Sequence, residues 1–165
     1  MERLWSPWRL AYVTGNPGSE GCVFCEAQRN AQSSLIVFHG PTCFVILNLY
    51  PYNNGHLMVI PRRHIASLAE ATAEELGEII ALTRRAEIAL REAYMPHGFN
   101  MGINLGKPAG AGVLGHIHMH IVPRWNGDTN FMTVVGETRV LPEELPRSAE
   151  ILRPIFERLA GAEPA

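Results

Sequence analysis

The sequence predicts an α+β fold: an antiparallel sheet of about five strands with one long helix on one face, plus N- and C-terminal extensions. Three observations carry this. Short apolar runs at Leu35–Phe38, Cys43–Leu49 and His56–Ile60 are separated by turn residues. One long segment of helical periodicity begins at Thr72. Beyond it, Phe99–Leu105 reads as extended, and His116–Val122 alternates strictly between histidine and apolar residues. The chain has 165 residues, 47% of them hydrophobic and 18% charged, enough for one domain with a real core. We read 1–165 as a single domain, with its core at about 20–125, an N-terminal extension over 1–19 and a C-terminal segment over 126–165.

The extension carries Trp5, Trp8 and Tyr12 ahead of Gly15, Pro17 and Gly18, and reads as a surface that packs on the domain or on a second subunit. Tyr50-Pro51-Tyr52-Asn53-Asn54-Gly55 is a turn between the second and third runs. Thr72-Ala73-Glu74-Glu75 fits a capping box, in which the Thr oxygen and the Glu carboxylate satisfy N–H groups of the first helical turn. Leu76, Ile79, Ile80, Thr83, Ala86 and Leu90 follow at helical spacing, Glu78, Arg85 and Glu92 fall on other faces, and Pro96 and Gly98 end the helix. A glycine-rich loop, Gly106–Gly112, precedes the histidine strand. After Asn126 the pattern is a polar loop and a short helical stretch over Glu150–Leu159.

Fourteen Lys+Arg against sixteen Asp+Glu give a net charge of -2, so no basic excess is available for nucleic acid. No apolar run reaches the roughly 20 residues of a membrane span, and the first residues lack a secretory apolar stretch. Three cysteines, two of them as Cys22-Val23-Phe24-Cys25, suit a reducing compartment and a metal or thiol site. The expectation is a cytoplasmic protein without a membrane or nucleic-acid partner.

In a strand, His116, His118 and His120 share one face, and Ile117, Met119 and Ile121 share the other. Two chemistries use such a trio. Imidazoles can ligate a catalytic metal, giving a metal-dependent hydrolase. Alternatively, a neutral imidazole can attack phosphorus and form a nucleotidyl-histidine. Gly106, Gly110, Gly112 and Gly115 lie just before the trio, and the chain's single lysine, Lys107, sits among them. Such a loop can bring backbone N–H groups close to a phosphate. No Asp or Glu occurs between Glu92 and Asp128, which favours phosphorus chemistry over a metal.

His116–Val122, preceded by the block Asn48–His64, resembles the signature of the histidine triad superfamily of nucleotide hydrolases and transferases. The likeness spans about residues 20–125. Leu4-Trp5-Ser6-Pro7-Trp8-Arg9, Pro123-Arg124-Trp125 and Gly127-Asp128-Thr129-Asn130-Phe131-Met132 are most similar to the bacterial diadenosine tetraphosphate phosphorylase group of that superfamily. The resemblance implies a homodimer that cleaves dinucleoside polyphosphates through a covalent nucleotidyl-histidine. It implies His118 as nucleophile, His120 at the scissile phosphate and His56 in support. It also implies Asn48 at ribose hydroxyls, Asn104 and the Gly110-Ala111-Gly112 backbone at phosphates with Lys107 adding charge, and Trp125 shaping the nucleotide pocket. Ala111-Gly112-Val113-Leu114 stands where many members have Gly-Gln-Ser/Thr-Val. That departure counts against a phosphoramidate hydrolase, the related alternative along with hydrolysis of AMP esters.

Cys22-x-x-Cys25 is half of a structural zinc site, with a metal-free or redox-active dithiol as its rivals. Some triad proteins complete such a site with residues that correspond here to His64 and His116. Cys43, in an apolar run, reads as core, and His39 and His97, among turn residues, read as surface.

Overall fold

The computed structural model describes residues 21–30, 35–129 and 142–162. The N-terminal extension over 1–19, with Trp5, Trp8 and Tyr12, and the Asn130-Phe131-Met132 part of the similarity lie outside them. The elements run α1 (Val23–Arg29), β1 (Ile36–His39), β2 (Cys43–Leu47), β3 (Leu57–Pro61), α2 (Ala73–Tyr94), β4 (Gly98–Ile103), β5 (Met119–Arg124) and α3 (Leu145–Ala162). The strands form one five-stranded sheet in the order β1-β2-β3-β5-β4, with every neighbouring pair antiparallel.

β2 and β3 are buried along their whole length, because both faces of the sheet are covered. Alternation sorts their residues. Val45, Leu47, Leu57, Val59 and Ile121 join Ile79, Leu82, Ala86, Ala89 and Leu90 of α2 in the main core. Phe44, Ile46, Met58 and Ile60 face the other way and are met by Phe24 of α1 and by Val113. The expected helix on one face is therefore only half of the arrangement.

The helix signals act as expected at both ends of α2. Thr72 Oγ1 accepts from the Glu75 N–H at 3.2 Å, and a Glu75 carboxylate oxygen accepts from the Thr72 N–H at 2.8 Å. Met95 takes a left-handed conformation at the C-terminal end, one residue before Pro96. The buried stripe is displaced from the expected one. Leu76 and Ile80 are exposed, whereas Leu82 and Ala89 are buried, since α3 packs on α2 and draws that side inward. Arg85, which falls on a face other than the expected apolar stripe, is buried with its guanidinium over the Phe38 ring.

Two boundaries need correction. The last strand begins at Met119, not His116, because the Ile117 N–H bonds the Ile65 carbonyl outside the ladder. The C-terminal helix covers Leu145–Ala162 rather than Glu150–Leu159, and carries Pro154 inside it. This helix is part of the core rather than an appendage: Ala149, Leu152 and Phe156 are fully buried in the main cluster. The patterned domain thus extends well past 125. Cys43 is buried as expected, and His39 and His97 are exposed.

Candidate functional site

His56 enters β3 from the turn after β2. Gly55 takes φ +73°, and a Cβ there would lie 2.9 Å from Leu90, so glycine permits both the turn and its seat on α2. The His56 N–H bonds the Asn53 carbonyl, and the Asn53 amide donates to the Pro123 carbonyl at 3.0 Å and to Asp128 at 2.7 Å. Asp128 also accepts from Arg124 at 2.6 Å and 2.8 Å, and these donors hold its carboxyl far below the usual carboxylate range. This clamp ties the turn to the end of β5.

The histidine hydrogen bonds define tautomers. The Tyr52 N–H donates to His56 Nδ1 at 3.0 Å, which places the ring proton of neutral His56 on Nε2. Nε2 lies 2.9 Å from His120 Nδ1 and donates to it, so neutral His120 carries its proton on Nε2. His118 is set the opposite way. Its Nδ1–H donates to the His116 carbonyl at 2.9 Å, leaving Nε2 with a free electron pair. The His118 and His120 ring centroids are 4.7 Å apart at 76°. A ring with an unused lone pair on Nε2 thus stands beside one with an N–H donor. His118 is only 4% exposed, and burial pushes its pKa below the ordinary imidazole value, partly opposed by the His116 carbonyl. The neutral, nucleophilic form is favoured.

His116 belongs to a different group. Its ring meets His64 with centroids 5.0 Å apart, and its Nδ1 lies 3.3 Å from Cys22 Sγ and 3.6 Å from Cys25 Sγ. Cys25 Sγ is 3.5 Å from His64 Nδ1, and the four donor atoms all lie within 4.8 Å of one another. Tetrahedral zinc with bonds of about 2.3 Å to sulfur and about 2.0 Å to nitrogen separates S and N donors by roughly 3.5 Å, so these residues fit that ion. The His116 Nε2–H donates to the Pro61 carbonyl at 2.8 Å, which turns the Nδ1 lone pair toward the cysteines. A Cβ on Gly115 would lie 3.1 Å from the His64 ring, so glycine leaves room for that ligand. Burial first, and then the neighbouring Cys22, raise the Cys25 thiol above its ordinary value. A bound cation reverses that preference by stabilising thiolate.

The three triad imidazoles therefore do not converge on one ion. Nδ1 of His116 points to cysteines, that of His118 to a carbonyl, and that of His120 to His56. The metal-hydrolase alternative loses its geometric basis, because His116 turns its Nδ1 to the cysteine pair while His118 and His120 bond elsewhere.

Of the other expected residues, Asn48 lies beside the triad. Its amide approaches His56 Nδ1 at 3.4 Å, and its carbonyl oxygen accepts from the Tyr50 N–H at 3.0 Å. Asn104 is half-buried just after β4, and Lys107 is exposed in a short 3-10 turn, Lys107–Ala109. The Gly110 and Ala111 amides donate to the carbonyls of Lys107 and Gly106 and close the loop; the Gly112 amide takes no part in those bonds. Val113 packs on the Phe44–Met58 cluster, which sets the end of this loop on the histidine face. Trp125 lies elsewhere. Its Nε1–H donates to the Tyr94 carbonyl at 3.3 Å, and it lines a cavity of about 370 Å³ with Asn53, Asn54, Tyr94, Gly127, Asp128 and Pro142, without a triad histidine.

Sequence reasoning missed the backbone partners that set the tautomers, namely the Tyr52 N–H and the Pro61 and His116 carbonyls, since main-chain groups carry no residue signal. It also missed Phe24, whose ring lies 5.1 Å from His118 and 5.6 Å from His116. An aromatic between two candidate metal ligands was the available signal.

The HIT domain profile matches residues 29–127. An AP-4-A phosphorylase of Mycobacterium tuberculosis is 39% identical over 161 residues, covering 92% of this chain and 83% of that protein. An uncharacterized HIT-like protein of Saccharolobus solfataricus is 31% identical over 67% of this chain and 79% of its own. A Zn-bound histidine triad family protein from Mycobacterium smegmatis superimposes with a TM-score of 0.70 at 31% identity, over 88% of this chain and 100% of that one. A hypothetical histidine triad nucleotide-binding protein from Sulfolobus tokodaii gives 0.69 at 28% identity, over 84% and 93%. With the triad, its tautomers and the five-stranded sheet in place, the chain belongs to the histidine triad (HIT) family.

Proposed function

We propose that this protein is a nucleotidyl-transferring enzyme that cleaves dinucleoside polyphosphates, with diadenosine tetraphosphate as its preferred substrate class. The observation that carries the reading is the opposed tautomers of His118 and His120, a free pair at one Nε2 beside an N–H at the other. His118 Nε2 attacks the α-phosphorus and forms a P–N bond. The bond from that phosphorus to its bridging oxygen breaks, and the departing oxygen draws on the His120 Nε2–H, with His56 behind it. A second acceptor then attacks phosphorus, breaks the P–N bond and frees His118. With phosphate as acceptor, diadenosine tetraphosphate yields ADP and ATP; with water it yields AMP and ATP.

We assign phosphate contact to Asn104, Lys107 and the Gly112 amide, with Gly110 and Ala111 shaping the loop, and we assign the ribose hydroxyls to Asn48. Trp125 is retained as a nucleotide-pocket residue on the resemblance alone. The 39% identity to a protein named AP-4-A phosphorylase supports phosphate as the acceptor.

Cys22, Cys25, His64 and His116 would hold a structural zinc, as their donor set and spacing fit. Zinc would supply rigidity. His116, fixed at Nδ1, keeps its carbonyl in place for the His118 Nδ1–H. We further propose a cytoplasmic homodimer without a membrane or nucleic-acid partner. Cys22, Cys25 and Cys43 form no disulfide, which suits a reducing compartment, and no described helix is long and apolar enough to cross a membrane.

Incubation with diadenosine tetraphosphate, with and without phosphate, tests the reading. Equal ADP and ATP, dependent on phosphate, is the expected result. AMP with ATP overturns the acceptor, and no cleavage overturns the reading.

A further inference from the structure

Phe24 is the one side chain of α1 that is buried, and it does not rest on the sheet alone. Its ring lies 5.1 Å from His118 at 57° and 5.6 Å from His116 at 90°, while the rest of it joins Phe44, Ile46, Met58 and Ile60. Cys22 caps α1, and Cys25 lies one residue beyond Phe24. The two thiols reach His64 and His116, so both ends of the Cys22–Cys25 segment are tied to the domain through the metal cluster.

His118 needs such a neighbour. One hydrogen bond, Nδ1–H to the His116 carbonyl, fixes a single point of the ring. An imidazole torsion is broad and roughly two-fold, so one bond does not hold the Nε2 lone pair on a line of attack. Contact with Phe24 supplies a second restraint and His120 a third. Phe24 has no polar atom, so it narrows the ring's position without competing for Nε2.

We propose that Phe24 is a positioning residue for the His118 nucleophile, pressed against it by the cysteine-anchored turn of α1. The proposal rests on the nucleotidyl-histidine reading above. Its metal ligands thereby act on the reaction by two routes, the His116 carbonyl and the Phe24 ring.

The test compares wild type, Phe24→Ala and Phe24→Leu as zinc-loaded proteins with diadenosine tetraphosphate. Zinc content and far-UV circular dichroism establish that the variants are folded, and nitrogen-15 shifts of the His118 ring report its tautomers. Misplaced near-attack geometry costs about 10- to 100-fold in rate, so Phe24→Ala should lose that much kcat while KM stays within about two-fold. Its His118 shifts should move toward the average of two tautomers. Phe24→Leu keeps apolar volume and should fall between the two; it decides the matter if the alanine variant misfolds. Wild-type kcat with a raised KM would make Phe24 a substrate contact and overturn the inference. Unchanged kcat and KM would overturn it equally. If wild type itself forms no nucleotidyl adduct, it is the underlying reading that fails, and that outcome is separate from the others.

Discussion

At the scale of single residues, Glu75 does two jobs with one carboxylate. It closes the capping box of α2 and receives both arms of Arg63, Nε at 2.7 Å and a terminal nitrogen at 2.7 Å. Arg63 precedes His64, a member of the Cys/His cluster, so the start of α2 anchors the loop that carries it. Arg63 first, and then the Thr72 N–H, lower the Glu75 pKa to about 2. The ordinary value is about 4.3, so folding favours the charged form. The stabilisation is complete above the unfolded value and fades as pH falls toward the folded one. Glu75→Gln should cost about 1 kcal/mol at neutral pH, less than is usual for hydrogen bonds to charged groups because Arg63 is half exposed. Urea midpoints of the two proteins should converge as pH drops from about 4 to about 2. A constant difference across that range would contradict this role. Thr72 and Glu75 were legible in the sequence as a capping box, whereas the second use of Glu75 was not. Its partner Arg63 lies across a loop, and the sequence pattern carries no distance.

Among elements, the ones with a strong local code were the easiest to read. The turn at Tyr50–Gly55, the start of α2 and three of the apolar runs rest on proline, asparagine, glycine and caps, whose conformations are fixed within a few residues. The histidine strand was misplaced because alternation by itself does not say where the ladder begins. A tertiary bond from Ile117 to Ile65 holds this stretch outside it, so His116, Ile117 and His118 precede the ladder, which begins at Met119. α1 was missed as an element, since its seven residues are too few to stand without the contacts at Phe24 and the thiols. This makes α1 the element most sensitive to metal. Zinc removal by chelator should expose Cys22 and Cys25 to rapid alkylation and lower the melting temperature. Cys43 should stay protected, since it is buried with its thiol pushed up to about 11. Metal analysis should return one zinc per chain before treatment. Alkylation of Cys22 and Cys25 at one rate with and without chelator, in protein lacking zinc, would contradict the assignment.

For the whole molecule, two structures built around His116–His120 serve different ends. On one side His116 faces the cysteine pair; on the other, His118 and His120 face each other with opposed tautomers. Between them stand the His116 backbone carbonyl and the Phe24 ring, which meets both His116 and His118. The main core below is closed by α3, whose first turn at Leu145–Ala149 lies ahead of the helical stretch expected from the sequence. The histidine trio and the cysteine pair of the candidate site were legible as short motifs with a chemical reason, and the structure brings His116 and His64 to the cysteines. Phe24 and the Asn53–Asp128 clamp were not, because they act only through contacts made across the fold. The central claim is that the His118 imidazole carries the nucleotidyl group during turnover. Rapid acid-free quenching of the enzyme with diadenosine tetraphosphate, followed by peptide mass analysis, tests it most directly. The account predicts an adenylyl adduct on His118 that is absent from His118→Ala and vanishes when phosphate is added. Full turnover in wild type with no adduct on that ring, or turnover retained in His118→Ala, would contradict it.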